Sequence, residues 1–171
     1  DTAGLQVGKL EVTPFRHDEL IQYYASDWDF MVLRADVQGL VVDVDRGAVS
    51  VRRMALAGRP KLTLAHGLGD LSELELEIDA AEQWARVESV GWDLPQQKLG
   101  APARGEDPEV KVGNLDAGAV AQKLGGDHYR LLHSGALDHA ELQAWADARL
   151  ARSRFAMLRG RAVVSGDADL A

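Results

Sequence analysis

The 171-residue chain has no cysteine, which excludes disulfide bonds, thiolate metal sites and cysteine nucleophiles together. No apolar run approaches the roughly 20 residues that a membrane-spanning helix needs, so we expect no membrane insertion. Basic residues are also outnumbered, with 19 Lys and Arg against 27 Asp and Glu, for a formal net charge of −8. Because phosphate binding needs a basic surface, this balance argues against nucleic acid as a partner. What the chain does have is 46% apolar residues, enough to bury a core.

Residue types that often carry catalysis or bind metals form no recognisable motif. The five histidines lack the spacing of a zinc protease and are better read as scattered: His17, His66, His128, His133 and His139. The segment from Gly67 to Asp70 lacks the third glycine of a dinucleotide loop and predicts a turn. The acidic row Glu73, Glu75, Glu77 and Asp79 predicts a solvated strand face, or a face toward a neighbouring subunit. We therefore expect no enzyme activity, no cofactor and no metal.

The segment from Leu20 to Leu40 is the most informative in the chain. Leu20 to Tyr24 has the pattern of a strand. Ser26 as N-cap, with Asp29 three residues later, predicts a helix from about Asp27 to Gln38 that Gly39 ends. Its apolar face would be formed by Phe30, Leu33 and Val37.

Side chains of this segment also carry expectations about packing. We expect an aromatic core cluster rather than a ligand platform, formed by Tyr23, Tyr24, Trp28 and Phe30. Arg34 is expected to pair with a nearby acid as a structural lock, without a catalytic role. After the helix, two apolar runs flank Asp45-Arg46-Gly47 and predict a β-hairpin.

The rest of the chain alternates strand and helix signals. Leu74, Leu76 and Ile78 alternate with acids, which predicts a strand with one buried face. The strand from Trp84 to Trp92 carries small residues on one face, which predicts packing against something bulky. Further predictions are a strand over 61–65, an insertion over about 99–114, a helix over 116–124, a strand over 127–133, a helix over about 138–158 with Glu141 in a capping box, and a strand over 161–164.

These signals together predict an α+β fold with an antiparallel β-barrel-like sheet. Residues 1–57 would form a strand–helix–hairpin module. Residues 58–171 would form the barrel-like domain, with the loop insertion and the long helix.

A series of short motifs then points to a family. It comprises Gln22-Tyr23, Ser26-Asp27-Trp28-Asp29-Phe30, Arg34-Ala35, Gly39-Leu40, Gly91-Trp92-Asp93, the Ala/Arg-rich run 144–150, and the strand and turn over 161–170. The series resembles the baseplate hub proteins of contractile injection machines, namely the VgrG spike proteins of type VI secretion and the late-control tail proteins of phages.

The resemblance implies a structural role. The chain would be a fragment of a trimeric hub that joins the tube to the spike, with the tube protein and other baseplate components as partners. Assembly would take place in the cytoplasm, and the product would become part of an injected particle or a virion-like tail. The family carries no catalytic residue here. The alternative is a stand-alone carbohydrate- or peptide-binding module that uses Tyr23 and Trp28 or Trp84 and Trp92, and an enzyme ranks third.

Overall fold

The computed structural model describes residues 4–54, 63–67, 71–110, 113–124 and 126–166. Within them the elements are, in order, β1 (Gln6–Leu10), α1 (Asp27–Val37), β2 (Leu40–Asp45), β3 (Ala48–Arg53), β4 (Leu71–Ile78), β5 (Trp84–Asp93), β6 (Lys98–Leu99), β7 (Ala103–Arg104), α2 (Ala117–Leu124), β8 (Gly126–His133), α3 (His139–Phe155) and β9 (Leu158–Val164). The predicted α+β class is confirmed. The described strands form three separate sheets and no closed barrel.

The predicted hairpin is confirmed as β2 and β3. The two strands pair antiparallel from Leu40 opposite Arg53 to Asp45 opposite Ala48. Arg46 and Gly47 both have positive φ, as a two-residue type I′ turn requires. The first strand, β1, then joins β3 in parallel and completes a three-stranded sheet.

Helix α1 begins and ends within a residue of its predicted bounds, but two expectations around it are wrong. Leu20 to Tyr24 is not a strand, since no described strand pairs with it and Tyr24 takes a left-handed φ of 53°. The apolar face is also misplaced, because Leu33 and Val37 are exposed while Ala35 is buried. The helix packs on β2 and α3 through the side that carries Ala35, and that packing sets its rotation.

Strand β5 lies at the centre of the largest sheet. On one edge it pairs in parallel with β8, and on the other it pairs antiparallel with β7, so Ser89 lies between Leu131 and Ala103. Helix α3 covers one face of the sheet, where Val87 packs with Ala146 and Leu150. The prediction that the small-residue face of β5 packs against a bulky element is therefore confirmed.

The stretch from 99 to 114 is more firmly anchored than the predicted surface insertion. Its first part supplies β7, and Ala103 is buried. The backbone N–H of Gly105 donates to the carbonyl of Val87, and the N–H of Glu106 donates to the Asp147 carboxylate. A Cβ at Gly105 would lie 2.7 Å from the Ala146 carbonyl oxygen, so glycine permits this close approach. Residues 111–112 lie outside the described ranges.

The predicted short helix and the strand that follows it are confirmed as α2 and β8. The long helix is confirmed from Asp138, but it ends at Phe155 rather than near Leu158. Residues 158–160 belong instead to β9, because Leu158 pairs with Ile78 and Gly160 with Leu76. Tertiary strand pairing therefore overrides the helical pattern there.

Strands β4 and β9 form a two-stranded antiparallel ribbon. The strand predicted from the alternation over 73–79 is confirmed as β4, but the expected burial of its apolar face is wrong: Leu74, Leu76 and Ile78 are 52%, 57% and 52% exposed. About half of each of these side chains is therefore open to solvent. Of the strand predicted at 61–65, residues 61–62 lie outside the described ranges and Thr63 to Ala65 form no strand.

The predicted domain boundary near residue 57 falls in the stretch 55–62, outside the described ranges. The division into 1–57 and 58–171 therefore stays a prediction.

Candidate functional site

The side chains of the signature segment build a local cap. The Ser26 hydroxyl accepts from the backbone N–H of Asp29 at 3.1 Å and donates to the Asp29 carboxylate at 2.7 Å. Gln22 reaches over the same turn, where its amide donates to the Ala25 carbonyl and the Asp27 carboxylate. Asp27 and Asp29 lie in the first helical turn, where the positive helix end favours acids. Gly39 ends the segment with a φ of +70°. Together these contacts give the segment a structural role.

The expected aromatic core cluster is wrong. Tyr23 and Tyr24 are largely exposed, and their rings lie 5.4 Å apart on the surface. Trp28 is also exposed, while Phe30 is only partly buried. The backbone leaves the extended conformation at Tyr24, and both tyrosine side chains point to solvent. A regular strand, as predicted for this stretch, would have placed them on opposite faces.

Arg34 does pair with an acid, as predicted, and the partner is Glu141 of α3. Glu141 is buried, and its carboxylate lies 3.1 Å from His17 Nε2 and 3.6 Å from an Arg34 terminal nitrogen. The Arg34 nitrogen also lies 3.0 Å from His17 Nε2. Glu141 therefore fastens α1 and the 14–20 segment to α3, instead of closing the predicted capping box.

A second buried acid, Glu88, lies at the centre of β5, and no pattern in the sequence predicted its burial. The strand pairing sets Glu88 between Arg104 of β7 on one edge and Arg130 of β8 on the other. Cross-strand partners point to the same face of a sheet, so these side chains converge. Arg104 Nε donates to Glu88 Oε1 at 3.1 Å, and an Arg130 terminal nitrogen donates to Oε2 at 3.2 Å.

Two more groups complete this cluster, which we call the Glu88 face and which comprises Arg86, Glu88, Arg104, His128 and Arg130. His128 Nε2 lies 3.0 Å from Glu88 Oε2, and Arg86 Nε lies 3.6 Å from Oε1. Arg86 and Glu88 are two positions apart on β5, so the period of a strand alone places them on the same face. The parallel pairing with β8, which brings His128 and Arg130 alongside, has no local sequence signal.

The Glu88 carboxylate is held in its ionised form. Burial alone would raise its pKa, but the hydrogen bond from Arg130 and the positive charges of Arg86, His128 and Arg104 outweigh that effect and lower the pKa. The arrangement can therefore orient and stabilise charge.

Another buried polar network joins β5 to the end of α3. The Gln83 amide, fully buried, donates to the Ser153 carbonyl at 2.5 Å. The Arg154 guanidinium, buried as well, donates to Asp107 at 2.7 Å and to Gln83 at 3.4 Å. These bonds tie the 105–107 stretch to the helix and have a structural role.

The remaining candidate residues lie apart. His128 contacts Glu88, while His133 lies against the Trp145 ring. Within the described ranges no three His, Asp or Glu side chains converge as a metal site. Glu75 and Glu77 lie opposite Arg161 and Arg159 on the exposed ribbon. Of the predicted turn at 67–70, residues 68–70 lie outside the described ranges.

No helix among the described residues combines the length and the apolar character needed to cross a membrane.

Comparisons with known proteins give one family and one related fold. A family model described as "Alg8 N-terminal domain" matches residues 1–171. A search of curated proteins found no significant match. Among solved structures, the crystal structure of the tail protein from Neisseria meningitidis MC58 is similar, with 16% sequence identity and a TM-score of 0.58. The similarity covers 95% of this chain and 46% of that chain, so this chain spans about half the length of the tail protein.

Proposed function

The chain belongs to the Alg8 N-terminal domain family, and we propose that it is a structural part of a phage-tail-like assembly. The family description names neither a tail nor a reaction. The fold likeness to a tail protein supports the assignment, because it extends over nearly the whole chain.

The observation that carries the proposal is the half-exposed apolar face of the β4–β9 ribbon. A two-stranded ribbon is at best marginally stable on its own in water. Here Leu74, Leu76 and Ile78 are each about half exposed, along one side of such a ribbon. Covering the remaining area of three such side chains would contribute about 3 kcal/mol in total, taking about 1 kcal/mol for half of each. In an assembly, a neighbouring subunit can bury this face.

The finer form of the proposal follows the motif series. The motif formed by Gln22, Ser26, Asp29, Arg34 and Gly39 resembles the pattern of the VgrG and late-control hub proteins. We therefore propose that the intact protein is a trimeric hub of a contractile injection machine. Its partners would be further copies of itself, the tube protein and other baseplate and spike components. It would assemble in the cytoplasm, enter the injected particle or tail, and have no catalytic role.

Measuring the molecular mass of the intact protein in solution tests whether it is a trimer. We expect a trimer by mass photometry, and Leu76→Glu should shift it to monomer because a charge would be buried in the interface. Leu94→Glu is the matched control, since Leu94 is similarly exposed but lies in the turn after β5, away from the ribbon. A monomeric intact protein would refute the trimer, and equal behaviour of the two variants would refute the role of the ribbon.

A second candidate is a carbohydrate- or peptide-binding module, and the exposed ring pair of Tyr23 and Tyr24 favours it. Of the three tryptophans named for this alternative, Trp84 packs against the Tyr129 ring at 4.9 Å and Trp92 is half-buried, which leaves Trp28 as the most accessible one. Saturable glycan or peptide binding that is lost in Tyr23→Ala and Trp28→Ala, with the melting temperature unchanged, would support this candidate over the hub.

A further inference from the structure

We propose that the Glu88 face is a docking surface for an acidic segment of another polypeptide. The face lies on β5, β7 and β8, apart from the β4–β9 ribbon. Its test is therefore independent of the proposed assembly.

Charge is the first argument. The face combines three guanidinium groups with one carboxylate, so its formal charge is positive even with His128 neutral. The chain as a whole carries −8, so this is a local surplus of the opposite sign. Within the described ranges no second acid forms an ion pair with Arg86, Arg104 or Arg130. Three guanidinium charges against the single charge of Glu88 therefore leave a net surplus of two positive charges.

Hydrogen-bonding capacity is the second argument. A guanidinium group has five N–H donors, and Glu88 takes one from Arg104 and one from Arg130. The side chains of Arg86, Arg104 and Arg130 are 49%, 69% and 47% exposed, so many of their donors face solvent. A guanidinium group can donate two parallel hydrogen bonds to one carboxylate, so a carboxylate is a suitable ligand for this face.

Geometry is the third argument. Glu88 is buried, and its carboxylate contacts the guanidinium group of each of the three arginines, so less side-chain freedom is lost when a ligand binds. Arg104 and Arg130 flank Glu88 on adjacent strands, so their backbones lie about 10 Å apart, two strand spacings. Acids at alternate positions of an extended peptide lie about 7 Å apart on one side, within reach of both arginines. The chain's net charge disfavours a nucleic acid as the occupant.

The probe is a fluorescein-labelled peptide of alternating Glu and Ser, titrated with the full chain and followed by fluorescence anisotropy. We expect saturable binding at low salt that weakens as salt rises, because the contacts are exposed ion pairs. Arg104→Gln and Arg130→Gln should each weaken binding about tenfold, and Arg104→Lys should weaken it less because the charge remains.

Arg52→Gln is the matched control, because Arg52 is a similarly exposed arginine that pairs with Asp43 on β2. It should leave the affinity unchanged. Arg104→Gln and Arg130→Gln each remove a hydrogen bond to Glu88, so circular dichroism at the assay temperature checks that they are still folded. Absence of saturable binding would overturn the proposal, and so would an equal loss in Arg52→Gln. Tighter binding of an oligothymidylate or of inorganic phosphate than of the peptide would overturn it too, in favour of a phosphate site.

Discussion

Removing two methyl groups from Val87 tests the core that joins β5 to α3. Val87 has no exposed surface and packs with Ala146 and Leu150 in the cluster that also contacts Trp84 and Tyr129. Its backbone carbonyl accepts from the N–H of Gly105, a bond that Val87→Ala leaves in place. The substitution therefore isolates side-chain packing from the strand pairing.

The expected loss has two parts. Transfer of two buried methyl groups accounts for about 1.6 kcal/mol, at about 0.8 kcal/mol each. The space left behind adds about 1 kcal/mol, taking roughly 50 Å³ at about 24 cal/mol per Å³. Val87→Ala should therefore lower the free energy of unfolding by about 2–3 kcal/mol. In a chain of this length that corresponds to a fall in melting temperature of about 5–10 °C.

The assay is urea unfolding followed by circular dichroism, with Val44→Ala as the matched control. Val44 is also a strand valine, on β2, but it is 48% exposed. The control should lose less than about 1 kcal/mol, because little apolar area is uncovered. If the two variants lost the same free energy, Val87 would not lie in a packed core, and the assignment of α3 as its cover would be wrong.

Two further predictions concern a helix cap and a charge. Ser26→Ala should cost about 1 kcal/mol in thermal unfolding, because the Asp29 N–H loses its acceptor, whereas Ser26→Asp should retain most of the stability. Glu88→Gln should lower the melting temperature most near pH 7. The folded-state pKa of Glu88 lies below the unfolded value of 4.5, so its stabilisation is present above that value and disappears as the pH falls through the folded-state pKa. A difference between wild type and Glu88→Gln that grew on acidification would contradict this sign.

Sequence reasoning succeeded where a few neighbouring residues decide the structure. The Ser26 cap, the start of α3 at Asp138 and the Arg46-Gly47 turn all depend on side chains within four positions. Their hydrogen bonds and φ values are local, so the pattern contains the information needed.

Sequence reasoning failed where pairing between segments distant in the chain decides the structure. The alternation from Leu74 to Ile78 fixes two faces of a strand but does not say whether any element covers one of them. The Glu88 face arises because β8 pairs in parallel with β5, and nothing near Glu88 signals that partner. Leu20 to Tyr24 has strand propensity, but without a neighbouring strand the backbone takes another course.

The β4–β9 ribbon also bears on the order in which the chain folds. It pairs Ile78 with Leu158 and Leu71 with Val164, so the chain between them, with β5, β8 and α3, forms one long closed loop. Contacts so distant in sequence form only after most of the chain's freedom has been lost, whereas the hairpin of β2 and β3 needs a two-residue turn. We therefore expect the enclosed unit to form first and the ribbon to close last. The surface that we assign to a neighbouring subunit would thus be completed only after the rest of the fold has formed.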